Sequence, residues 1–340
     1  MEKIDIKIKQ LQKQEFKNLQ ASQLIIELTG KNANYVLTNT LRRLSYDYIP
    51  TYAFPSELIK IEKNTSVYNN DYMKCRLSQI TIPNLINNIY YLPDEYWLNI
   101  NYNDPSRIKH PDDNKVLEFY INVTNNTNEN MNVTTEHMKV YEDGVELKNK
   151  FDDKFQHLII DLRPNENFSC KCVGALGIGK VNSIWSAAGN SYYDEIDEHK
   201  FKLTIESQGQ MNEYDILYRS CYVIEEKIKI IKKLIEDKYD SPSIKNTNTL
   251  KIILENEDHT IGGLINDLLQ ENKNIAFSGL SKPNLLLDKI IIEIMSIKND
   301  PIKPLIDTLD YIIDLFQEIK SQIMDIGGIG SNSKKKSKKK

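Results

Sequence analysis

Apolar positions recur along this chain with two periods. Residues 1–8 alternate, with Ile4, Ile6 and Ile8 on one side. That pattern predicts a half-buried strand and lacks the continuous apolar block of a signal peptide. Residues 24–29 form a short apolar run of strand type. Over residues 34–48 the period lengthens to that of a helix, with Val36, Leu37, Thr40, Leu41 and Leu44 on one face; Pro50 ends it. Residues 57–199 hold short strand-like runs broken by Pro83, Pro93, Pro105, Pro111 and an Asn-rich stretch at 122–132, predicting a mostly β insert with long loops. Residues 201–205 alternate as another strand.

Two long helices follow. One carries Leu217, Cys221, Ile224, Ile228, Ile231 and Ile235, spaced 4, 3, 4, 3, 4. The other opens with Asp300 as N-cap and Pro301 at the first helical position. It carries Ile302, Leu305, Leu309, Ile312, Phe316, Ile319 and Ile323. Each stripe needs a partner surface. The helices are either two core helices of one domain or matching helices of two related halves. The order of elements is repeated. Strand 24–29 leads to a helix and strand 201–205 to a long helix; strand 250–254 leads to a helix at 258–270 and strand 290–294 to the final helix. The division expected is a first half at 1–57 and 200–238, an insert at 58–199, a polar linker at 239–249, a second half at 250–326 and a disordered Lys-rich tail at 327–340.

Composition narrows the function. At roughly 150 residues per domain, 340 residues make about two domains, and a 40% hydrophobic content excludes wholesale disorder. The net charge is −4, but residues 331–340 hold six Lys and no acid, so the rest of the chain stands at −10. Such a body is ill suited to general nucleic-acid binding. No run reaches the ~18 apolar residues of a membrane span. Four Cys exclude a disulfide scaffold. Only six of the 44 basic residues are Arg, and two of them, Arg42 and Arg43, are adjacent. Arginine's planar fork suits them to a partner's carboxylates or carbonyls, although solvated charge is the plain alternative.

The motifs for chemistry are weak. Residues 174–180 fit G-x-x-x-x-G-K, but Val181 stands where a phosphate loop needs Ser or Thr, and no helix start follows. A structural Gly-rich turn is the better reading. Cys170 and Cys172 share one face of a strand, which suits core packing, and Cys75 and Cys221 lie too far off in sequence to complete a zinc site. No catalytic acid–base pair or nucleophile stands out.

Thr40-Leu41-Arg42-Arg43, followed by Ile49-Pro50-Thr51-Tyr52-Ala53, resembles the first signature of the RNA polymerase alpha-like subunits. That group comprises the bacterial alpha subunit, the larger alpha-like partner of the archaeal enzyme and the third subunit of polymerase II. Gly177-Ile178-Gly179-Lys180 with Trp185-Ser186, then residues 201–209, resemble later signatures in the same order. Glu257-Asp258-His259-Thr260-Ile261-Gly262 is similar to the signature of the smaller archaeal partner and the eleventh subunit of polymerase II. The resemblance covers nearly the whole chain except the Lys tail.

The resemblance implies an α+β fold of two alpha-like dimerisation half-folds, helices on small antiparallel sheets, fused in one chain. The two long helices would form the intramolecular dimer. The function implied is a non-catalytic assembly platform of a multisubunit DNA-directed RNA polymerase, docking the largest and second-largest subunits alongside small ones, with DNA and RNA met only through the complex. Leu41, Arg42, Arg43, Lys180 and Trp185 are the expected docking residues. Asp258, His259, Thr260 and Gly262 would shape the first helix of the second half, with Asp258 typed as its N-cap. The four-Cys zinc loop of some larger partners is not present, so no metal or cofactor is expected. A fused chain with an AT-rich coding bias points to a large DNA virus, hence to virion and host cytoplasm, and otherwise to the nucleus. The rival functions are an enzyme using the Gly-rich loop and a nucleic-acid-binding accessory protein acting through the Lys tail.

Overall fold

The computed structural model describes residues 3–17, 21–82, 88–98, 100–102, 116–148, 151, 156–239, 241–284 and 286–328. Its α+β fold combines small antiparallel sheets with helices, four of them, among the described residues, eight residues or longer outside the insert. The tail from 329 onward, Pro83, Pro105 and Pro111 lie outside the described residues.

The first unit is a four-stranded antiparallel sheet in the order β1 (Lys7–Glu15), β2 (Ser22–Thr29), β12 (Lys200–Ser207), β11 (Ala188–Asp197). Alternation decides its faces: Leu24, Ile26 and Leu28 on β2 and Phe201, Leu203 and Ile205 on β12 all point inward. Helix α1 (Tyr35–Asp47) and helix α4 (Glu213–Tyr239) pack there. Ile4, Ile6 and Ile8 alternate inward as expected, yet regular pairing starts only at Lys7. Strand β11 is too polar to register as a strand from its sequence; it falls inside the predicted insert but belongs to this sheet.

The insert is built on β10 (Asn167–Gly177), flanked on one side by β3 (Thr51–Ala53) and β4 (Ile59–Asn64) and on the other by β5 (Leu117–Thr124). Strands β7 (Lys139–Glu142) and β8 (Val145–Leu147) extend it, and β6 (Met131–Thr134) pairs with β9 (Leu158–Leu162) separately. Strand β3, assigned by sequence to the first half, therefore pairs with the insert. Two helices that the pattern did not predict, α2 (Asn70–Ser78) and α3 (Asp94–Leu98), also lie here. Cys170 and Cys172 are buried, and Phe54 meets Phe119 edge-on at 4.6 Å.

The second unit is smaller. Strands β13 (Thr249–Glu255), β15 (Lys289–Ser296) and β14 (Ile275–Ser281) form a three-stranded antiparallel sheet in that order, with α6 (His259–Glu271) against it and α7 (Ile302–Gly327) closing the chain. The segment between the units holds a short helix, α5 (Pro242–Lys245), and is anchored where Ile253 N–H donates to the Tyr239 hydroxyl at 3.2 Å. It is more ordered than the plain polar linker expected. Helix α7 starts one residue late relative to expectation: Asp300 sits at φ +75° and its carboxylate accepts from Lys303 N–H at 3.3 Å, as an N-cap would. Its C-terminal end takes Gly327 and the left-handed Gly328 from the predicted tail.

Candidate functional site

Helices α4 and α7 run antiparallel. Tyr214 lies against Gly327, Lys320 pairs with Glu225 at 2.5 Å, and Lys232 pairs with Asp310 at 2.6 Å. Leu217, Ile224, Ile228, Ile231 and Ile235 on one helix, and Ile302, Leu305, Leu309, Ile312, Phe316 and Ile319 on the other, are buried. Each such side chain contributes roughly 1.5–3 kcal/mol of transfer free energy, so this seam is a major part of the core. Helix α4 is more enclosed than its stripe predicted: Ile216, Ser220, Val223 and Lys227 are buried too. The reason is that α4 meets α1 and the first sheet on one side, α7 on another and the insert on a third, where Arg219 donates to Ile89 O at 3.0 Å.

A second antiparallel pair crosses the two units. Asn34 caps α1, accepting from Leu37 N–H at 2.8 Å, and its amide donates to Asp267 of α6 at 2.8 Å. Asp258 caps α6, accepting from Thr260 N–H at 2.8 Å, and receives Arg43 of α1 at 3.3 Å. Each cap thus meets the residue nine positions beyond the cap of the other helix. This reciprocity is the contact pattern of a two-fold interface, in which i touches j and j touches i. Gln322 of α7 completes the join by bonding both Ile8 N–H and Ile6 O of the first unit, at 2.8 and 2.9 Å.

At one end of α1 three segments converge on a charged junction. Lys227 of α4, only 2% exposed, lies 3.0 Å from Asp94 of the insert and 2.9 Å from Glu257 of the second unit. Lys180 reaches Asp94 at 3.4 Å and Asp288 at 3.1 Å, and Lys282 reaches Asp288 at 3.4 Å. The Tyr48 ring faces both Lys227 and Lys180, at 4.9 and 5.3 Å. Burial works against the ammonium of Lys227, but Glu257 and Asp94 hold its pKa above the ordinary lysine value. Burial lifts the Glu257 carboxyl above its usual range, with Lys227 opposing. Burial also favours neutral Asp288, yet Lys180 and Lys282 keep its carboxyl below the usual range. Burial pushes the Tyr91 hydroxyl up to about 12.

The expected docking residues resolve differently. Leu41 and Trp185 are buried in the chain. Trp185 donates to Ala175 O at 2.9 Å and stacks with Tyr102. Arg43 pairs with Asp47 on its own helix and joins the two units through Asp258. Arg42 is half-buried and donates to Asn39 at 3.0 Å. What the sequence kept apart, the structure unites: Lys180 N–H donates to Asp47 O at 2.7 Å, and a Cβ on Gly179 would stand 2.2 Å from Tyr46 O. The Gly-rich turn thus lies on the end of α1 because only glycine permits that approach. One of its amides is used there and its lysine faces carboxylates, which leaves little of a phosphate cradle. In the signature of the second unit Asp258 caps, Thr260 is buried, His259 is exposed, and Gly262 lets α6 close on Ile290 and Leu280.

Sequence reasoning missed Asn34, Asp94, Lys227, Asp267, Glu257 and Asp288 as joining residues. Lys227 alone gave a signal, since its spacing of three from Ile224 and four to Ile231 keeps it on the apolar face. Among the described residues no three His, Cys, Asp or Glu side chains gather as a metal site, and no helix is long and apolar enough to cross a membrane. The geometry is that of a joint: it neutralises charge and locks three segments together.

Among known proteins, residues 249–322 match the RNA polymerase Rpb3/Rpb11 dimerisation domain, which together with a viral relative supports the likeness to a fused alpha-like polymerase subunit. The similarity extends to a viral protein. A protein of Acanthamoeba polyphaga mimivirus, provisionally named as a DNA directed RNA polymerase subunit, is 28% identical over 340 residues, covering 93% of each chain. Shorter matches fall on archaeal polymerase subunits named Rpo11. That of Saccharolobus shibatae is 38% identical over 50 residues, 15% of this chain and 54% of its own length. That of Sulfurisphaera tokodaii is 37% identical over 49 residues, 14% and 53% respectively.

Proposed function

We propose that this chain is a non-catalytic assembly platform of a multisubunit DNA-directed RNA polymerase, made of two alpha-like half-folds dimerised within one polypeptide. The observation that carries this reading is the reciprocal capping of α1 and α6 beside the antiparallel α4–α7 seam. A heterodimer of related halves has such an interface, and the similarity to a viral polymerase subunit extends over 93% of the chain. Joining the halves through residues 240–248 sets their effective concentration near the mM range for a short connection and fixes a one-to-one ratio.

The first half is best bounded as 3–50 with 188–239, which restores β11 to its sheet; the insert is 51–187 and the second half 249–328. The platform docks the second-largest and largest subunits, with small subunits beside them, and meets DNA and RNA only through the complex. Arg42 is the docking arginine, and Arg43 staples the halves. With a viral source the complex works in virion and host cytoplasm, otherwise in the nucleus. The test is mass spectrometry of what co-purifies with the tagged full chain from its native source. Recovery of two large polymerase subunits is expected, and their absence would overturn the proposal.

A further inference from the structure

The two units meet about an approximate two-fold axis whose matched positions can be named. With Leu217 laid on Leu305, the α4 stripe falls on the α7 stripe: Ile224 matches Ile312 and Ile231 matches Ile319. In the same way Asn34 matches Asp258 as a helix cap, and Arg43 matches Asp267 nine positions further on. Contacts then come in mirrored pairs. Lys232 reaches Asp310 at 2.6 Å, and its match Lys320 lies 5.7 Å from the centre of the Tyr222 ring, Tyr222 being the match of Asp310. Such an axis allows three pairings: two unlike halves, two first halves or two second halves. Side chains that differ between matched positions must choose among them.

The α4–α7 ion pairs do not choose. Lys232 and Lys320 occupy matched positions, and each helix carries an acid within reach, Glu225 on α4 and Asp310 on α7. Two first halves would bring Lys232 to Glu225 and two second halves Lys320 to Asp310, so opposite charges meet in every pairing. The α1–α6 end differs. Glu257 precedes the cap of α6 and meets Lys227 at 2.9 Å. At the matched positions Ala33 precedes the cap of α1 and Leu315 stands on α7. Both are buried, and Leu315 lines a small cavity with Asn32 and Asn34, on either side of Ala33. A contact of paired charge is thus mirrored by an apolar one. Two second halves would set Glu257 against Leu315 and Asp258 against Asp267 of the other copy. A buried carboxylate then loses its cation and two carboxylates face each other, twice over. Two first halves would set Lys227 against Ala33 and Arg43 against Asn34, with Asp94 still beside Lys227. The heavier bar therefore falls on the second half.

We infer that Arg43, Asp258, Asp267, Lys227 and Glu257 determine the choice of partner between the halves and bar the second half from pairing with itself, whereas the α4–α7 seam supplies adhesion without choice. This rests on the reading of the chain as two dimerised half-folds. The connection at 240–248 then keeps the halves close but does not select them.

The test uses the full chain with a protease site built into the mostly exposed segment 242–248 and cut after folding. The cut protein is taken into urea and back, so that the pieces choose partners afresh, and native mass spectrometry counts mixed and like dimers. Indifferent pairing makes about half of the dimers mixed; wild type should give almost only mixed ones. Asp267→Arg removes the facing carboxylates and offers Asp258 a cation in the like pairing, so dimers of the second piece should rise about tenfold or more. Asp267→Asn should raise them less, and Lys232→Ala should leave the distribution unchanged. Thermal melts of the uncut chains check folding, which the half-buried position of Asp267 favours; should Asp267→Arg melt early, the rise with Asp267→Asn decides alone. A wild-type mixture near the indifferent ratio would overturn the inference, and so would Asp267 variants distributed as wild type. Pieces that refold without forming any dimer would instead refute the two-half reading, and the inference with it.

Discussion

Replacing Lys227 by Met tests whether the charged junction holds the three parts of the fold together. The substitution keeps most of the side-chain volume and removes only the ammonium. Asp94 and Glu257, 3.0 and 2.9 Å away, then lose their common partner in a place where Lys227 is 2% exposed and the two acids 7% and 11%. Breaking a buried pair on one side costs about 3–5 kcal/mol, because a charge stays buried without compensation. The exposed pair Lys251–Glu293, 58% and 54% open, is the control, and Lys251→Met should cost no more than ~1 kcal/mol. The penalty should depend on pH in a definite sense. Burial already raises the Glu257 carboxyl, and Lys227 is the first influence that lowers it again. Without Lys227 that group rises further, so between its unfolded value and its new folded value the native state binds more protons than the unfolded one. Stability then falls as pH rises through that window. The deficit should be smaller at pH 5.0 than at pH 7.5. Urea unfolding followed by tryptophan fluorescence reads it, since buried Trp97 lies on the same short helix as Asp94. A loss below about 1 kcal/mol at pH 7.5, or one equal at both pH values, would refute the reasoning.

Gly179→Ala should destabilise by about 1–3 kcal/mol, because its Cβ would stand 2.2 Å from Tyr46 O, whereas Gly263→Ala inside α6 meets nothing within 4 Å and should stabilise by about 0.5–1 kcal/mol; thermal melts of the two variants should move in opposite directions. Arg42→Ala should fold as wild type yet lose co-purification with the second-largest subunit. Arg43→Ala should lower stability by no more than about 1 kcal/mol, since its side chain is 39% exposed, and a pull-down beside a melt separates the two roles.

Elements that bury one face were legible from the sequence. Helix α1, its Asn34 start and the long stripes of α4 and α7 follow from periodicity and caps, which are local properties of the chain. Strand β11 was not legible: its exposed polar residues carry no alternation, and only pairing with β12 makes it a strand. Helices α2 and α3 escaped because their residues carry too little periodicity to exceed their surroundings. Arg43 shows the same limit at the site. Its neighbours on α1 suggested a solvated or docking charge, but Asp258 lies 215 positions further along the chain and binds it only after the two units close. Asp94 and Glu257 likewise look like unrelated surface charges until the fold buries them against Lys227. The sequence by itself determined the amphipathic helices α1, α4, α6 and α7, the doubled order of elements and the resemblance, because these rest on short-range spacing. Tertiary structure alone decided which charges pair and which signature residues lie buried, because those depend on solvent exclusion between segments far apart in the chain.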